Sequence, residues 1–270
     1  MNKLNILYSY AYLQGNQGKK ILSLLNNKNI DFLLDSGAFT AWKAKKEIRL
    51  IDYCRFLERL PIKPWNYFTL DVIGNPKDTL DNYKKMLERG FKPIPIFTRG
   101  EDISVLDEYY RTSDIVGIGG LVGTKGNKGF IKGIMKRVNG RKVHLLGFTN
   151  QDYLLHYKPY SVDSSSWASG LMYGNIKIYM GGGKWQSISR KKKPTEEICR
   201  RVSYYGKDIG ELFERDGWRN KKDNFLLRTI PLLSNIEYSM ELEKKIKTKY
   251  FSAICTQADL EEIIKAKEIK

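Results

Sequence analysis

An α/β fold is what this sequence predicts: a TIM-like (β/α)8 barrel of parallel strands with a C-terminal helical appendix. Three observations predict it. Short apolar runs with strand character alternate with helical stretches from the N-terminus onward, and such alternation implies parallel strands joined by right-handed crossovers. Several runs end on a carboxylate: Leu33-Leu34-Asp35, Phe68-Thr69-Leu70-Asp71 and Tyr160-Ser161-Val162-Asp163. A fourth, Ile115-Val116-Gly117-Ile118, ends on Gly119-Gly120. In barrels the reacting groups sit at the C-terminal ends of the strands, so these residues share one mouth. A single such Asp would more simply cap the next helix. Three, with a Gly-Gly, point to a site.

The elements follow in order. Asn5–Tyr12 is apolar and aromatic and reads as strand one, with a helix over Lys19–Leu25. Asp31–Asp35 is strand two. Arg49–Leu60 carries Ile51, Cys54, Leu57 and Leu60 at helical spacing. Tyr67–Asp71 is strand three. Asn75-Pro76 then opens a helix over Thr79–Glu88 that Gly90 closes. Pro93–Phe97 is strand four, followed by a helix over Ile103–Tyr110. Asp114–Gly119 is strand five, followed by Phe130–Val138. Lys142–Phe148 is strand six, with a short helix around Asp152–His156. Ser161–Asp163 is strand seven, and Ile176–Met180 is read as strand eight. The catalytic barrel is therefore expected over 1–190.

Gly181-Gly182-Gly183 reads as a flexible turn, and Arg190-Lys191-Lys192-Lys193 as a basic loop. Beyond it, Thr195-Glu196-Glu197 has the look of a helix N-terminus with acids in its first turn. Ile209–Phe213, Phe225–Leu233 and Met240–Tyr250 show helical spacing. Residues 191–270 are accordingly expected to form a helical region packed on the barrel. A doubly wound open sheet is the alternative; it would need a phosphate loop after strand one, for which Gln14-Gly-Asn-Gln-Gly18 is a poor match.

Composition narrows the class. The chain has 270 residues, 41% hydrophobic and 12% aromatic, enough to bury a core. No apolar run reaches the roughly 18 residues of a membrane span, so no membrane partner is expected. Met1-Asn-Lys-Leu-Asn-Ile-Leu reads as a strand start, without the features of a signal peptide. Cys54, Cys199 and Cys255 are widely separated, which argues for a reducing cytoplasm and against a disulfide framework. With only His144 and His156 besides, no metal site is expected. The net charge of +17 points to a polyanion, most simply nucleic acid. Residues 1–183 carry 27 basic and 16 acidic groups, and residues 184–270 carry 20 and 14, so no basic tail accounts for the excess. Surface lysines from a lysine-rich composition are the alternative explanation.

Two carboxylates facing one cleft suit displacement at an anomeric carbon. One attacks to form a covalent glycosyl intermediate; the other donates a proton to the leaving group and later accepts one from the incoming group. The second needs a raised pKa, which burial beside a like charge supplies. Gly119 and Gly120 leave room for a planar ligand to approach backbone N–H groups, or simply make a tight turn. Phe39 and Leu146 are candidate walls of a slot for a flat base, or ordinary core residues.

These residues carry a resemblance. Asp35-Ser-Gly-Ala-Phe39 resembles the D-S-G-G-[FY]-Q segment of tRNA-guanine transglycosylases. Gly119-Gly-Leu-Val-Gly123 resembles their G-G-L-[AS]-V-G, and His144-Leu-Leu-Gly147 their Y-L-M-G. Asp163 falls where that family has its nucleophilic aspartate. Order and spacing agree over residues 31–167. Ser161-Val-Asp163-Ser-Ser-Ser-Trp167 looks closest to the short, phage-type branch that installs 7-deazaguanine bases in DNA. Nothing matches the family's C-x-C-x-x-C…H zinc site. Its base-binding glutamine after strand four is not evident, with Thr98 or Arg99 in that region, and Ser164-Ser-Ser-Trp167 replaces the arginines after its nucleophile.

The resemblance implies roles. Asp163 is the nucleophile and Asp35 the general acid/base. Asp71 reads the amino and ring N–H edge of the base. Backbone groups of Gly120 and Leu121, beside Gly119, contact its oxygen edge and 7-substituent, and Phe39 and Leu146 sandwich it. The expected function is replacement of guanine in DNA by a 7-deazaguanine such as 7-cyano-7-deazaguanine, with no cofactor and no metal, inside the cytoplasm of a bacterial cell. The expected partners are nucleic acid, DNA before tRNA, and the free 7-deazaguanine base. Arg190, Lys191, Lys192 and Lys193 are expected to contact nucleic acid. The alternatives are a zinc-free tRNA enzyme, a non-catalytic nucleic-acid-binding barrel, and a glycoside hydrolase using Asp35 and Asp163. Buried carboxylates without a use or partner are destabilising, which counts against the non-catalytic barrel.

Overall fold

The computed structural model describes residues 3–121, 127–170, 174–214, 218 and 221–268. The chain forms two compact units. The first comprises Met1–Ser164 with Ile246–Cys255, the second Ser165–Lys245 with Thr256–Lys270. This differs from the expected division into 1–190 and 191–270.

The first unit is the barrel. Its strands are β1 (Leu4–Ser9), β2 (Ile30–Asp35), β3 (Asn66–Tyr67), β4 (Ile96–Phe97), β5 (Ile115–Ile118), β6 (Lys142–Leu145), β7 (Ser161–Ser164) and β10 (Lys249–Ile254). They form one sheet in the order β3-β2-β1-β10-β7-β6-β5-β4, with every pairing parallel. The two outer strands also meet. Phe68 and Ile94 form a parallel bridge, Thr69 N–H donates to Ile94 O at 3.0 Å and Ile94 N–H to Tyr67 O at 2.8 Å. Closure removes both sheet edges.

The strands alternate with α1 (Gly15–Leu25), α2 (Ala38–Lys43), α3 (Leu50–Glu58), α4 (Pro76–Glu88), α5 (Val105–Tyr109), α6 (Asn127–Val138) and α7 (Gln151–Tyr157). The helix starts are chemically marked. Asn75 and Asn150 cap α4 and α7 by accepting from Asp78 N–H and Tyr153 N–H, satisfying donors that the first turn leaves unpaired. α1 buries Ile21, Leu22 and Leu25 on one face, the 3–4 residue spacing that a helix lying on a sheet needs.

The eighth strand corrects the sequence reading. Ile176–Met180 belongs to no barrel. It lies in β8 (Asn175–Gly181), antiparallel to β9 (Lys184–Ser189), in a separate two-stranded hairpin. Gly181, Gly182 and Gly183 all have positive φ, a backbone that lets the chain reverse at once. The barrel is completed instead by β10, in a segment expected to be helical through Tyr250. The preceding helix stops at Ile246, Lys247 turns left-handed at φ 62°, and Tyr250, Phe251 and Ile254 bury their aromatic and β-branched side chains in the strand.

The barrel interior is filled by Leu7, Leu33, Phe68, Ile94, Ile96, Ile115 and Phe251, with Trp65, Leu146, Tyr160 and Ala253 packed against them. Its N-terminal end carries an ion pair. Lys249 Nζ lies 2.6 Å from Asp31 Oδ2 and 3.3 Å from Asn5 Oδ1, and Lys3 Nζ is 2.9 Å from Asp31 Oδ1. Burial works against the Asp31 carboxylate, yet the two ammonium groups hold its pKa below the usual value.

The second unit contains β8 and β9, α8 (Glu196–Ser203), α9 (Lys221–Ile246) and α10 (Gln257–Glu268). Its core joins Ile176, Ile178 and Ile188 of the hairpin to Ile198 and Val202 of α8 and Leu226, Leu227 and Ile230 of α9. Thr195 caps α8, accepting from Ile198 N–H at 3.3 Å, as the sequence predicts. Among the described residues no helix is long and apolar enough to cross a membrane.

Candidate active site

Strand register sets which side chains share the barrel's interior face. Leu7 pairs with Leu33 and Ser9 with Asp35. Leu7 and Leu33 are interior, so Ser9 and Asp35, two residues on, point inward one layer nearer the C-terminal mouth. Asp163 pairs with the interior Phe251. Two of the acids therefore lie on the interior face of the sheet toward the C-terminal ends of non-adjacent strands.

Asp35 ends β2. Its Oδ2 accepts from Gly37 N–H at 3.0 Å, and the Ser9 hydroxyl bonds to the same carboxyl. Gly37 has φ +82°, and a Cβ there would stand 2.9 Å from Ala11 N and 3.1 Å from Ser9 Oγ. Only glycine fits that turn. Burial, then the negative charge of Asp71, push the Asp35 carboxyl up to about 7, with a smaller push from Asp163; the Gly37 and Ser9 bonds oppose them. A carboxyl so poised holds a proton near neutrality and can give it or take it.

Asp71 follows β3 by four residues. The Ser36 hydroxyl donates to its Oδ1 at 2.7 Å, and Ala38 N–H donates to Ser36 Oγ at 3.3 Å. Burial raises its pKa, against the pull of the Ser36 bond. The segment Asp35-Ser36-Gly37 thus serves both acids.

Asp163 is buried on β7. Its Oδ2 receives two donors, His144 Nε2 at 2.9 Å and Gly147 N–H at 3.2 Å. His144, fully buried on β6, places Nδ1 2.9 Å from Ser161 Oγ and packs its ring edge-on against Phe68 with centroids 5.0 Å apart. A carboxylate oxygen accepts, so Nε2–H is the donor to Asp163, and Nδ1 and the Ser161 hydroxyl share the second bond. The chain Ser161–His144–Asp163 fixes one carboxylate oxygen.

The remaining residues fall as follows. Gly119 is buried, donates N–H to Phe97 O at 2.9 Å, and a Cβ on it would meet Ile96 Cγ2 at 3.0 Å. Gly120 turns left-handed at φ +69° beside Thr98 and Arg99, and Leu121 is buried. Val122 and Gly123 of the same motif lie outside the described residues. Leu146 is half-buried against the interior cluster. Phe39 is 43% exposed on α2, stacked on Trp42 at 5.9 Å with Lys43 Nζ 4.4 Å from its centroid. Arg190, Lys191, Lys192 and Lys193 are exposed in a tight turn after β9, where Ser189 and Lys192 exchange backbone hydrogen bonds of 3.3 and 3.0 Å. They belong to the second unit.

Sequence reasoning passed over four polar partners: Ser9, Ser36, His144 and Ser161. It also passed over Glu101, whose carboxylate accepts from Thr98 N–H and from Tyr109 OH and whose pKa burial raises. The signal for His144 was there. It sits three residues before Gly147 on a strand adjacent to that of Asp163, where an interior polar residue requires a partner. Among the described residues no group of three or more His, Cys, Asp or Glu side chains is arranged to hold a metal ion. A groove of about 910 Å³ runs between α1 and α3, lined by Tyr10, Lys19, Leu22, Arg55, Phe56 and Arg59 among others; none of the three acids lines it.

No family model, curated protein or solved structure matches this chain.

Proposed function

We propose that this protein is a base-exchange glycosyltransferase acting on nucleic acid. It replaces guanine, in DNA before tRNA, with a 7-deazaguanine through a covalent aspartyl–glycosyl intermediate. The observation that carries the reading is the pairing of two unlike carboxyls at one barrel mouth. Asp35 has its carboxyl raised to about 7, while Asp163 is oriented through one oxygen by His144 and Gly147. Environments that differ in this way separate a proton carrier from a nucleophile.

The atoms balance without a redox partner. Asp163 attacks the anomeric carbon, and the bond from that carbon to the base breaks. The departing guanine takes the proton held by Asp35. The incoming 7-deazaguanine then attacks the same carbon through its ring nitrogen, returns a proton to Asp35 and displaces Asp163. Asp71, fixed by Ser36, faces the base as an acceptor for its amino and ring N–H groups. Gly120 has no side chain to keep the opposite edge of the base from the backbone. The net charge of +17 supports a polyanionic substrate. The similarity to tRNA-guanine transglycosylases in four short motifs supports the same chemistry, and the missing zinc ligands favour the DNA-acting branch.

Incubation with labelled guanine or labelled 7-deazaguanine, with DNA in one arm and tRNA in the other, tests this directly. Label entering DNA is the expected result. Label entering tRNA alone moves the proposal to a zinc-free tRNA enzyme. No label in either polymer, with retained binding, leaves a non-catalytic barrel.

A further inference from the structure

We infer that Trp42, stacked on Phe39 and fringed by Lys43, Lys45 and Lys46, is a binding platform for an unpaired nucleotide next to the one undergoing exchange. The inference rests on the proposed base-exchange reading for the position of the reacting nucleotide, but its own evidence is separate.

Large aromatic side chains are ordinarily turned inward. Here Trp42 is 57% exposed, and it has an exposed neighbour. Phe39 lies three residues earlier on the same short helix, the spacing that puts two side chains on one face. Their rings stack at an interplanar angle of 25°. A parallel stack of exposed rings offers a flat apolar surface of the kind on which a nucleobase lies.

The charge around the stack is mainly basic, with Glu47 the acid that follows it in sequence. Lys43, Lys45 and Lys46 are all exposed, and Lys43 Nζ stands over the Phe39 ring. The chain after α2 turns back on itself: Lys45, at φ 51°, donates N–H to Trp42 O at 3.0 Å, and Lys46 N–H bonds Ala41 O at 2.9 Å. That turn keeps both lysines at the end of the helix that carries Trp42. Aromatic faces interleaved with ammonium groups are what a single strand asks for, bases stacking and phosphates pairing. An acidic peptide would use the lysines but not the stacked rings.

The platform is tied to the site by covalent continuity and by contact. α2 begins three residues after Asp35. Tyr12, 37% exposed, bonds Thr40 of α2 and senses the Asp35 charge. The helix that presents Trp42 is therefore anchored at the mouth. A base held on Trp42 would be a neighbour in sequence to one inserted toward Asp35 and Asp163.

Fluorescence anisotropy with a dye-labelled single-stranded deoxyoligonucleotide, titrated at several salt concentrations and without free base, tests the platform. Trp42→Ala should weaken binding roughly 5- to 100-fold with the salt slope unchanged, the usual size of a lost base–aromatic stack. Trp42→Phe should recover most of it. Joint replacement of Lys43, Lys45 and Lys46 by Ala should flatten the log–log slope by about 0.7 for each phosphate no longer neutralised. Melting curves check that the variants fold. Affinity of Trp42→Ala within twofold of wild type overturns the platform, as does a wild type that binds no single strand. Weakened binding by Trp42→Ala in a protein that exchanges no base keeps the platform and removes the exchange reading. Intact exchange with unchanged binding removes the platform alone.

Discussion

His144 and Asp163 meet across neighbouring strands with Nε2 2.9 Å from Oδ2, and the far ring nitrogen of the same histidine lies 2.9 Å from the hydroxyl of Ser161. Ser161 and Asp163 are two residues apart on β7, so they share a face. His144 pairs in register with Ser161. Its ring spans both, and Phe68 and Phe251 hold it from the apolar side. In the proposed base exchange this makes His144 a positioning residue, acting only through the carboxylate it orients.

Replacing His144 with Gln tests that role. Gln keeps one N–H donor, whereas His144→Leu keeps none and leaves Asp163 Oδ2 with the Gly147 N–H donor but without its imidazole partner. His144→Leu should lower kcat by about 10- to 100-fold with little change in KM, and should destabilise by about 1–3 kcal/mol, the usual consequence of an unmade buried hydrogen bond. His144→Gln should recover part of kcat. Steady-state base exchange and urea midpoints on the two variants supply the readings. Equal loss of kcat in both, in step with equal loss of stability, would assign His144 to packing alone.

Asp35 gives a pH dependence with a definite sign. Its folded carboxyl titrates at about 7, against about 3.9 for an unfolded Asp. Between these values the native state holds a proton that the unfolded state has released. Its contribution is full below about pH 4 and is lost as pH rises through 7, at up to about 1.4 kcal/mol per pH unit. Asp35→Asn removes this dependence. Urea midpoints at pH 5 and pH 8 should fall with pH more steeply in the wild type than in the variant. Asp71→Asn removes the strongest charge acting on Asp35, so the alkaline limb of activity should move to lower pH. A limb that stays in place would mean another group carries the proton.

The comparison of Asp31 with Asp35 shows how far a sequence can be read. Both are Asp on β2, four residues apart, on one face of the strand. Asp31 is held by Lys3 and Lys249; the charges that act on Asp35 are those of two other acids. The strand-end position marked Asp35 as a candidate, and the interior location of Asp31 went unnoticed because Lys249 lies 218 residues away. The same long-range closure hid the eighth strand. Counting alternations assigned Ile176–Met180 to the barrel because the local pattern of a hairpin strand and that of a barrel strand are alike. What separates them is the partner, and Lys249–Ile254 finds β1 and β7 only in three dimensions. The acids, the Gly-Gly turn and the first seven strands were legible because each is marked by its own flanking residues.

Gly37 should tolerate no side chain. It combines φ +82° with backbone and Ser9 Oγ contacts at 2.9 and 3.1 Å from any added Cβ, and its N–H is one of the two donors to Asp35. Gly37→Ala should destabilise by roughly 1–3 kcal/mol, typical of a strained left-handed position. It should also disturb exchange more than that loss explains, because the displaced turn carries Ser36 and with it Asp71. Activity assayed well below the melting temperature separates the two effects. Wild-type kcat in a folded Gly37→Ala protein would show that the turn does not set the acids.

The division of labour between the two carboxyls is open to direct trapping. Asp163→Asn preserves the size of the side chain but removes the carboxylate that the proposed reaction uses as nucleophile, so no covalent protein–nucleic acid adduct should form. Asp35→Asn leaves the proposed nucleophile and removes the proposed proton carrier, so turnover should fall roughly 10²–10⁴-fold, the usual scale of general acid–base assistance. Some adduct should still accumulate with substrates whose base leaves readily, because attack by Asp163 needs no proton from Asp35. The two variants therefore differ in kind: one abolishes the intermediate, and the other slows its formation and its resolution. Denaturing gels with a labelled oligonucleotide, run on wild type and both variants, read the difference. If an adduct persists in Asp163→Asn, the nucleophile is another group, and Asp35, on the same interior face of the sheet, is the next to test by the double replacement.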